Sequence, residues 1–223
     1  MQLIEQLIIK GRYDQITTQS SRVLINMVKK GRKRGKFELV LNRLATMDIL
    51  DDVTFKVPIN VIVSFKIQYD ETDPNAFDVA GFADDDSIDL AITINPKYFP
   101  EAFSNLVPTI KEAMRHELEH VAQANGLRPS SEDFEDCNMN FVELKDPQHH
   151  LGRYFLLKHE VPAFVRGLYK AAKTRRETID VTINHFLKDY AHRLKSGDQK
   201  RIRSVWFDYA KKNLPNAQWS GYL

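Results

Sequence analysis

The chain carries His116-Glu117-Leu118-Glu119-His120 inside a stretch of good helix formers, Met114–Gln123. On a helix, residues i and i+4 lie one turn apart on one face, so two imidazoles can close on one metal ion. The helix sets their separation before any ion arrives. Glu117 follows the first histidine and projects beside such an ion, where it can take a proton from water. Zinc (Zn2+) suits this donor set, because imidazole nitrogens satisfy it and its tetrahedral shell can keep one position open. A surface helix with two solvated histidines and two glutamates would show the same letters. Ile110, Met114, Leu118 and Val121 argue for a packed helix instead, since they recur at helical spacing and give the segment a face to bury. Pro108 is expected in the first turn and Asn125-Gly126 at the stop, which predicts a helix of about 18–20 residues.

This pattern resembles the zincin metallopeptidases. The metzincin branch needs a glycine three positions after the second histidine and a ligand six after it; Gln123 and Gly126 stand there instead. The gluzincin branch takes its third ligand from a glutamate on a later helix. Glu160, in His159-Glu160-Val161-Pro162-Ala163-Phe164-Val165-Arg166-Gly167-Leu168, resembles that residue. Glu160, Ala163 and Gly167 share one helical face, and small residues behind the carboxylate allow a close helix approach. His149, His150 and His159 compete for the same role. The aspartate that thermolysin-like enzymes carry four residues after the ligand is Phe164 here, so the partner of the zinc histidines comes from elsewhere.

The resemblance implies an α+β, zincin-like fold: a small twisted sheet, an active-site helix under its edge and a largely helical C-terminal half. It implies zinc-dependent endopeptidase activity on a peptide or protein substrate. His116, His120 and Glu160 are the expected ligands, Glu117 the general base, and Tyr154 or His150 the expected oxyanion donor. His149 and His159 are further candidate donors.

The elements that must position these groups follow from periodicity. The first 34 residues read as helical, with a break near Gly11 and an apolar face of Ile16, Val23, Leu24, Met27 and Val28. Leu39–Leu50 reads as another helix, with Phe37–Leu41 open to an extended reading. Val61, Val63, Phe65, Ile67 and Tyr69 alternate with more polar residues, as in a strand. Residues 77–83 and 87–94 flank the acidic tip Asp84-Asp85-Asp86 and predict a hairpin. An unpaired sheet edge can bind an extended peptide through its main chain. Ser87–Ile94 is the expected edge strand, with Leu90, Ala91, Ile92 and Thr93 along the substrate.

Arg128–Arg153 is polar and without period; such a stretch between the two ligand segments can roof a cleft. Cys137 within it can cap a metal, although a lone cysteine is ordinarily a small buried hydrophobe. Two amphipathic helices close the chain. One carries Ile179, Ile183, Phe186, Leu187, Tyr190 and Leu194; the other carries Ile202, Val205, Trp206 and Tyr209. Ser196-Gly197 lies between them and Pro215 beyond. A single domain over 1–223 is expected, with a helical segment 1–50, a catalytic core 53–174 and a C-terminal helical pair 175–223.

The 223 residues carry a net charge of +2, but unevenly. Residues 1–36 hold nine Lys+Arg against two Asp+Glu, whereas residues 37–169 hold eleven against twenty-three. An acidic centre concentrates metal cations and favours cationic peptides. The run Lys29–Lys36 is the densest basic patch; it is read as solvated, with nucleic acid the less favoured partner. One cysteine excludes an internal disulfide, and no apolar run is long enough to span a membrane. Without a secretory signature at the N-terminus, the expected location is cytoplasmic. The run His-Glu-Leu-x-His-x-x-Gln, followed by Tyr154–Leu157 and by Glu160-x-x-Ala163-Phe164, is also similar to small metallopeptidase-like proteins of bacteriophages. That similarity implies a virion location and phage structural proteins as partners. It also implies an alternative role, a structural assembly protein whose zinc only stabilises the fold and which contacts nucleic acid.

Overall fold

The computed structural model describes residues 17–29, 44–51, 59–125, 151–195 and 197–221. The expectations for Gly11, Ile16, Cys137, His149 and His150, and for most of the basic run and the Arg128–Arg153 stretch, lie outside them. The chain divides into two compact units, Met1–Val121 and Ala122–Leu223, and the division falls inside the helix that carries the histidines. No described helix is long and apolar enough to cross a membrane.

The first unit is built on a four-stranded sheet. Its strands are β1 (Leu44–Asp51), β2 (Ile59–Tyr69), β3 (Phe77–Ala83) and β4 (Ser87–Ile94). They lie in the order β1-β2-β4-β3. β1 is antiparallel to β2, with Met47 opposite Val63; β2 is parallel to β4, with Phe65 opposite Leu90. β3 and β4 form the expected hairpin around Asp84–Asp86, in which Gly81 pairs with Leu90 and Asp84 N–H donates to the Ser87 carbonyl at 2.9 Å. Val63, Phe65, Ile67, Ile88, Leu90, Ile92 and Ile94 are buried. Lys66, Gln68, Asp89 and Ala91 alternate with buried positions and are exposed, as a one-sided sheet requires.

Two sequence expectations are corrected here. Leu44–Leu50 is a strand and not part of a helix. Its pattern (Ala45, Met47 and Ile49 alternating with Thr46 and Asp48) has period two, and pairing along β2 overrides the helix propensity of its residues. The second correction concerns the edge. β4 is an interior strand whose main chain is hydrogen-bonded on both sides. Leu90, Ala91, Ile92 and Thr93 therefore cannot offer a free edge to a peptide. Leu90 and Ile92 point into the core, and Thr93 Oγ1 accepts from Gln68 Nε2 at 2.9 Å. The strands with no second neighbour among the described residues are β1 and β3, and of the hairpin pair it is β3 that lies at the edge. Hydrophobicity explains the inversion, because within the hairpin β4 buries Ile88, Leu90, Ile92 and Ile94 while β3 buries none of its residues fully, so β4 takes the interior place.

Residues 17–29 form helix α1, with Leu24 and Val28 fully buried. Helix α2 (Phe99–Ala124) follows β4 almost directly. Asn95 makes that junction. Its Nδ2 donates to the carbonyls of Asp73 at 2.8 Å and Glu71 at 3.2 Å, its Oδ1 accepts from Lys97 N–H, and its carbonyl accepts from Phe99 N–H. This side chain ties the start of α2 to the turn between β2 and β3. At 26 residues α2 is longer than predicted, and Pro108 lies inside it, not in its first turn. Proline removes one N–H and crowds the carbonyl a turn earlier; the Thr109 hydroxyl donates to the Asn105 carbonyl at 2.9 Å in that turn. The helix ends at Ala124, as the Asn125-Gly126 stop predicts. Ile110, Met114, Leu118 and Val121 are all fully buried. Each contributes about 1.5–3 kcal/mol through burial.

The second unit contains the short helix α3 (Leu151–Tyr154), α4 (Glu160–Arg175), α5 (Ile179–Asp189) and α6 (Asp198–Asn213), with a 3-10 turn at Ala191–Arg193. Ile179, Ile183, Leu187, Ile202 and Trp206 are its buried apolar stripe, as periodicity predicts. Val205 departs from the prediction and is exposed. Aromatic rings fill the centre. Phe164 stacks on Trp206 with centroids 5.3 Å apart, and Phe155 meets Phe164, Phe186, Tyr190 and Trp206 edge-on. Trp206 Nε1 donates to the Phe155 carbonyl at 2.9 Å, which satisfies the one polar atom of a fully buried side chain. Gly197, at φ +93°, turns the chain between α5 and α6 where a side chain would be strained.

Candidate metal centre

The ring nitrogens Nε2 of His116 and His120 face each other 3.0 Å apart, with ring centroids 4.7 Å apart and planes at 75°. Two nitrogens bound to one tetrahedral zinc at about 2.0–2.1 Å would be about 3.3 Å apart. The pair is therefore already at ligand separation. Both rings are half-buried, while Ile110, Met114 and Leu118, on the other side of the helix, are fully buried. Amphipathicity thus aims the histidines.

His116, His120 and Glu160 each offer a ligand atom, and these atoms all lie within 4.8 Å of one another. Two imidazoles and a carboxylate are a donor set that suits zinc. Glu160 opens α4, where its charge is favoured by the helix N-terminus, and it is buried at 4 % exposure. Ala163, on the same face, is fully buried, and Gly167 is buried too. His159, a competing ligand by sequence, stands at the N-cap of α4 with its Nε2 3.5 Å from Glu160 Oε1. Gln123 Nε2 donates to the His159 carbonyl at 2.9 Å. The last turn of the histidine helix is thereby fastened to the residue that precedes Glu160.

Glu117 is 7 % exposed and lies against β3 at Gly81. It is not among the grouped ligand atoms. Arg115 and Glu119, either side of it, form a buried ion pair at 2.9 Å. Four positions apart, they share a face that the ligand histidines do not occupy. The motif itself gives Glu119 no role; the signal was an Arg and a Glu at i and i+4 inside a buried helix. Gln123 was missed as well, and so was Asn95. No periodicity marks a side chain whose task is one long-range hydrogen bond.

Tyr154 lies with its ring among those of Phe155 and Phe164, at centroid distances of 6.0 and 5.8 Å. Phe164, at the position of a carboxylate in thermolysin-like enzymes, is committed to the aromatic core of the second unit. A pocket of about 360 Å³ is lined by Lys66, Ala80, Phe82, Asp89 and Ala91, with Gly81 between them. By strand alternation it opens on the sheet face away from Glu117.

No protein-family model, curated protein or solved structure matches this chain.

Proposed function

We propose that the protein is a zinc-dependent endopeptidase of the zincin type, with the ligand set of a gluzincin. The observation that carries this reading is the convergence of His116, His120 and Glu160 while Glu117 stays outside the ligand group. A metal site meant only for stability is ordinarily closed by a fourth protein ligand. Three protein donors with a buried carboxylate beside them are the arrangement that hydrolysis needs.

When bound, zinc supplies Lewis-acid polarisation of a carbonyl and brings the pKa of water toward about 7. The protein's own residues do the rest. His116 and His120 hold their nitrogens in place through the helix, and Glu160 adds a negative charge at the start of α4. Glu117 accepts the proton of the attacking water and hands it to the leaving amine nitrogen as the peptide C–N bond breaks. General acid–base catalysis of this kind is worth about 100- to 10,000-fold. The oxyanion donor is assigned to Tyr154 or His150, which the sequence places between the two ligand segments. An extended peptide would lie along β3, an edge strand among the described residues and the one that packs against Glu117, and not along β4.

The test is a pair of measurements on the full chain. Glu117→Gln should keep about one zinc per chain and lose hydrolysis of a diverse peptide library by at least about 100-fold. A wild-type protein that binds no zinc, or binds it and cleaves nothing, would remove this proposal.

A further inference from the structure

Gly81 lies on the edge strand β3, and the space where its side chain would be is filled by Glu117. A Cβ built at position 81 would lie 2.7 Å from Glu117 Cγ and 2.8 Å from Cδ, and would also overlap Oε1. Carbon atoms normally approach to about 3.5–4.0 Å, so the two cannot coexist unless something moves.

The backbone does not require glycine here. The described glycines with positive φ are Gly197 and Gly221, so position 81 has a conformation open to any residue. Glycine in a strand interior is ordinarily a loss, since it adds chain entropy and packs nothing. What position 81 lacks is therefore room. The movable partner can also be identified. Gly81 is held by its pairing with Leu90, and the Glu117 backbone is held in the interior of α2. The side-chain torsions of Glu117 are the soft coordinate, so an added methyl displaces the carboxylate and leaves the strand in place.

We propose that Gly81 is a positioning residue for Glu117: its missing side chain forms the seat that aims the carboxylate. The seat stands on geometry alone; its catalytic consequence rests on the peptidase reading above. General-base catalysis needs the base within about 2.6–3.2 Å of the proton it takes. A displacement of about 1 Å is therefore enough to cost on the order of 100-fold.

The experiment is a double-mutant cycle on the full zinc-loaded chain with Gly81→Ala, Glu117→Ala and the double variant. Unfolding midpoints are the readout that needs no activity. Gly81→Ala should lower the midpoint in the wild-type background and leave it unchanged or raise it in the Glu117→Ala background, where the obstruction is gone. If Gly81→Ala does not fold while the double variant does, that result also supports the seat. An equal loss in both backgrounds overturns it. In peptide hydrolysis, Gly81→Ala should retain its zinc and lower kcat by about 10- to 100-fold with little change in KM. Full kcat in Gly81→Ala, measured beside an active wild type, overturns the positioning role. A wild type that cleaves nothing removes the peptidase reading and the catalytic consequence with it. The unfolding cycle still decides the seat.

Discussion

The side-chain amide of Gln123 donates to the backbone carbonyl of His159 at 2.9 Å, with both residues buried. Gln123 stands three residues after His120 and seven after His116, on the face of the helix that carries both. Its acceptor immediately precedes Glu160. One hydrogen bond thus links the helix of two expected ligands to the start of the helix that holds the third.

Gln123→Leu should lower zinc affinity by about five- to tenfold, the equivalent of one net buried hydrogen bond of about 1 kcal/mol. Competition with a graded set of chelators measures it. Unchanged affinity would mean that Glu160 is held by its own helix alone.

Glu160→Ala should lower zinc affinity far more, by at least about 100-fold, and remove hydrolysis with it. His159→Ala and His150→Ala should keep the metal. Metal analysis after dialysis of the three variants distinguishes them, and zinc loss in a histidine variant would reassign the third ligand.

Trp206 is fully buried, stacked on Phe164 and bonded to the Phe155 carbonyl. Trp206→Ala should cost about 3–5 kcal/mol in urea unfolding. Trp206→Phe keeps a ring but strands the carbonyl, and should cost about 1–3 kcal/mol. Equal losses would show that the hydrogen bond contributes nothing.

Burial works to raise the pKa of Asp180, but hydrogen bonds to its carboxylate, from Ser220 first and also from Thr178 and its own backbone, together outweigh it and hold the group below its ordinary value of 3.8. Ser220 N–H donates to Oδ1 at 3.1 Å, and the Ser220 hydroxyl donates to Oδ2. A carboxyl with a depressed pKa adds stability above its unfolded value and loses it as pH falls through the folded value. Ser220→Ala should therefore destabilise the protein near neutrality by about 1.5–3 kcal/mol, since the hydroxyl's hydrogen bond to a charged group is lost while the backbone N–H bond remains. The difference between variant and wild type should shrink as the pH is taken below 3.8. A difference that stays constant into acid would show that Asp180 is not the linked group.

Local pattern was enough for much of this protein. The spacing of His116 and His120 and the stripe Ile110, Met114, Leu118 and Val121 place two donors opposite a buried face, because both periods belong to one helix. The hairpin around Asp84–Asp86 and the stripes of α5 and α6 are equally local. Sequence alone did not reveal that β4 lies inside the sheet and β3 at its edge. Strand order depends on which faces find burial, and alternation reads the same in an edge and a central strand. Leu44–Asp51 was misread for the same reason, since its extended form depends on a partner, β2, that no local window contains. The proximity of Glu160 to the two histidines, the Gln123–His159 bond and the seat of Glu117 on Gly81 join residues 36 or more positions apart. Such contacts exist only after the chain has folded, and only the tertiary structure decided them.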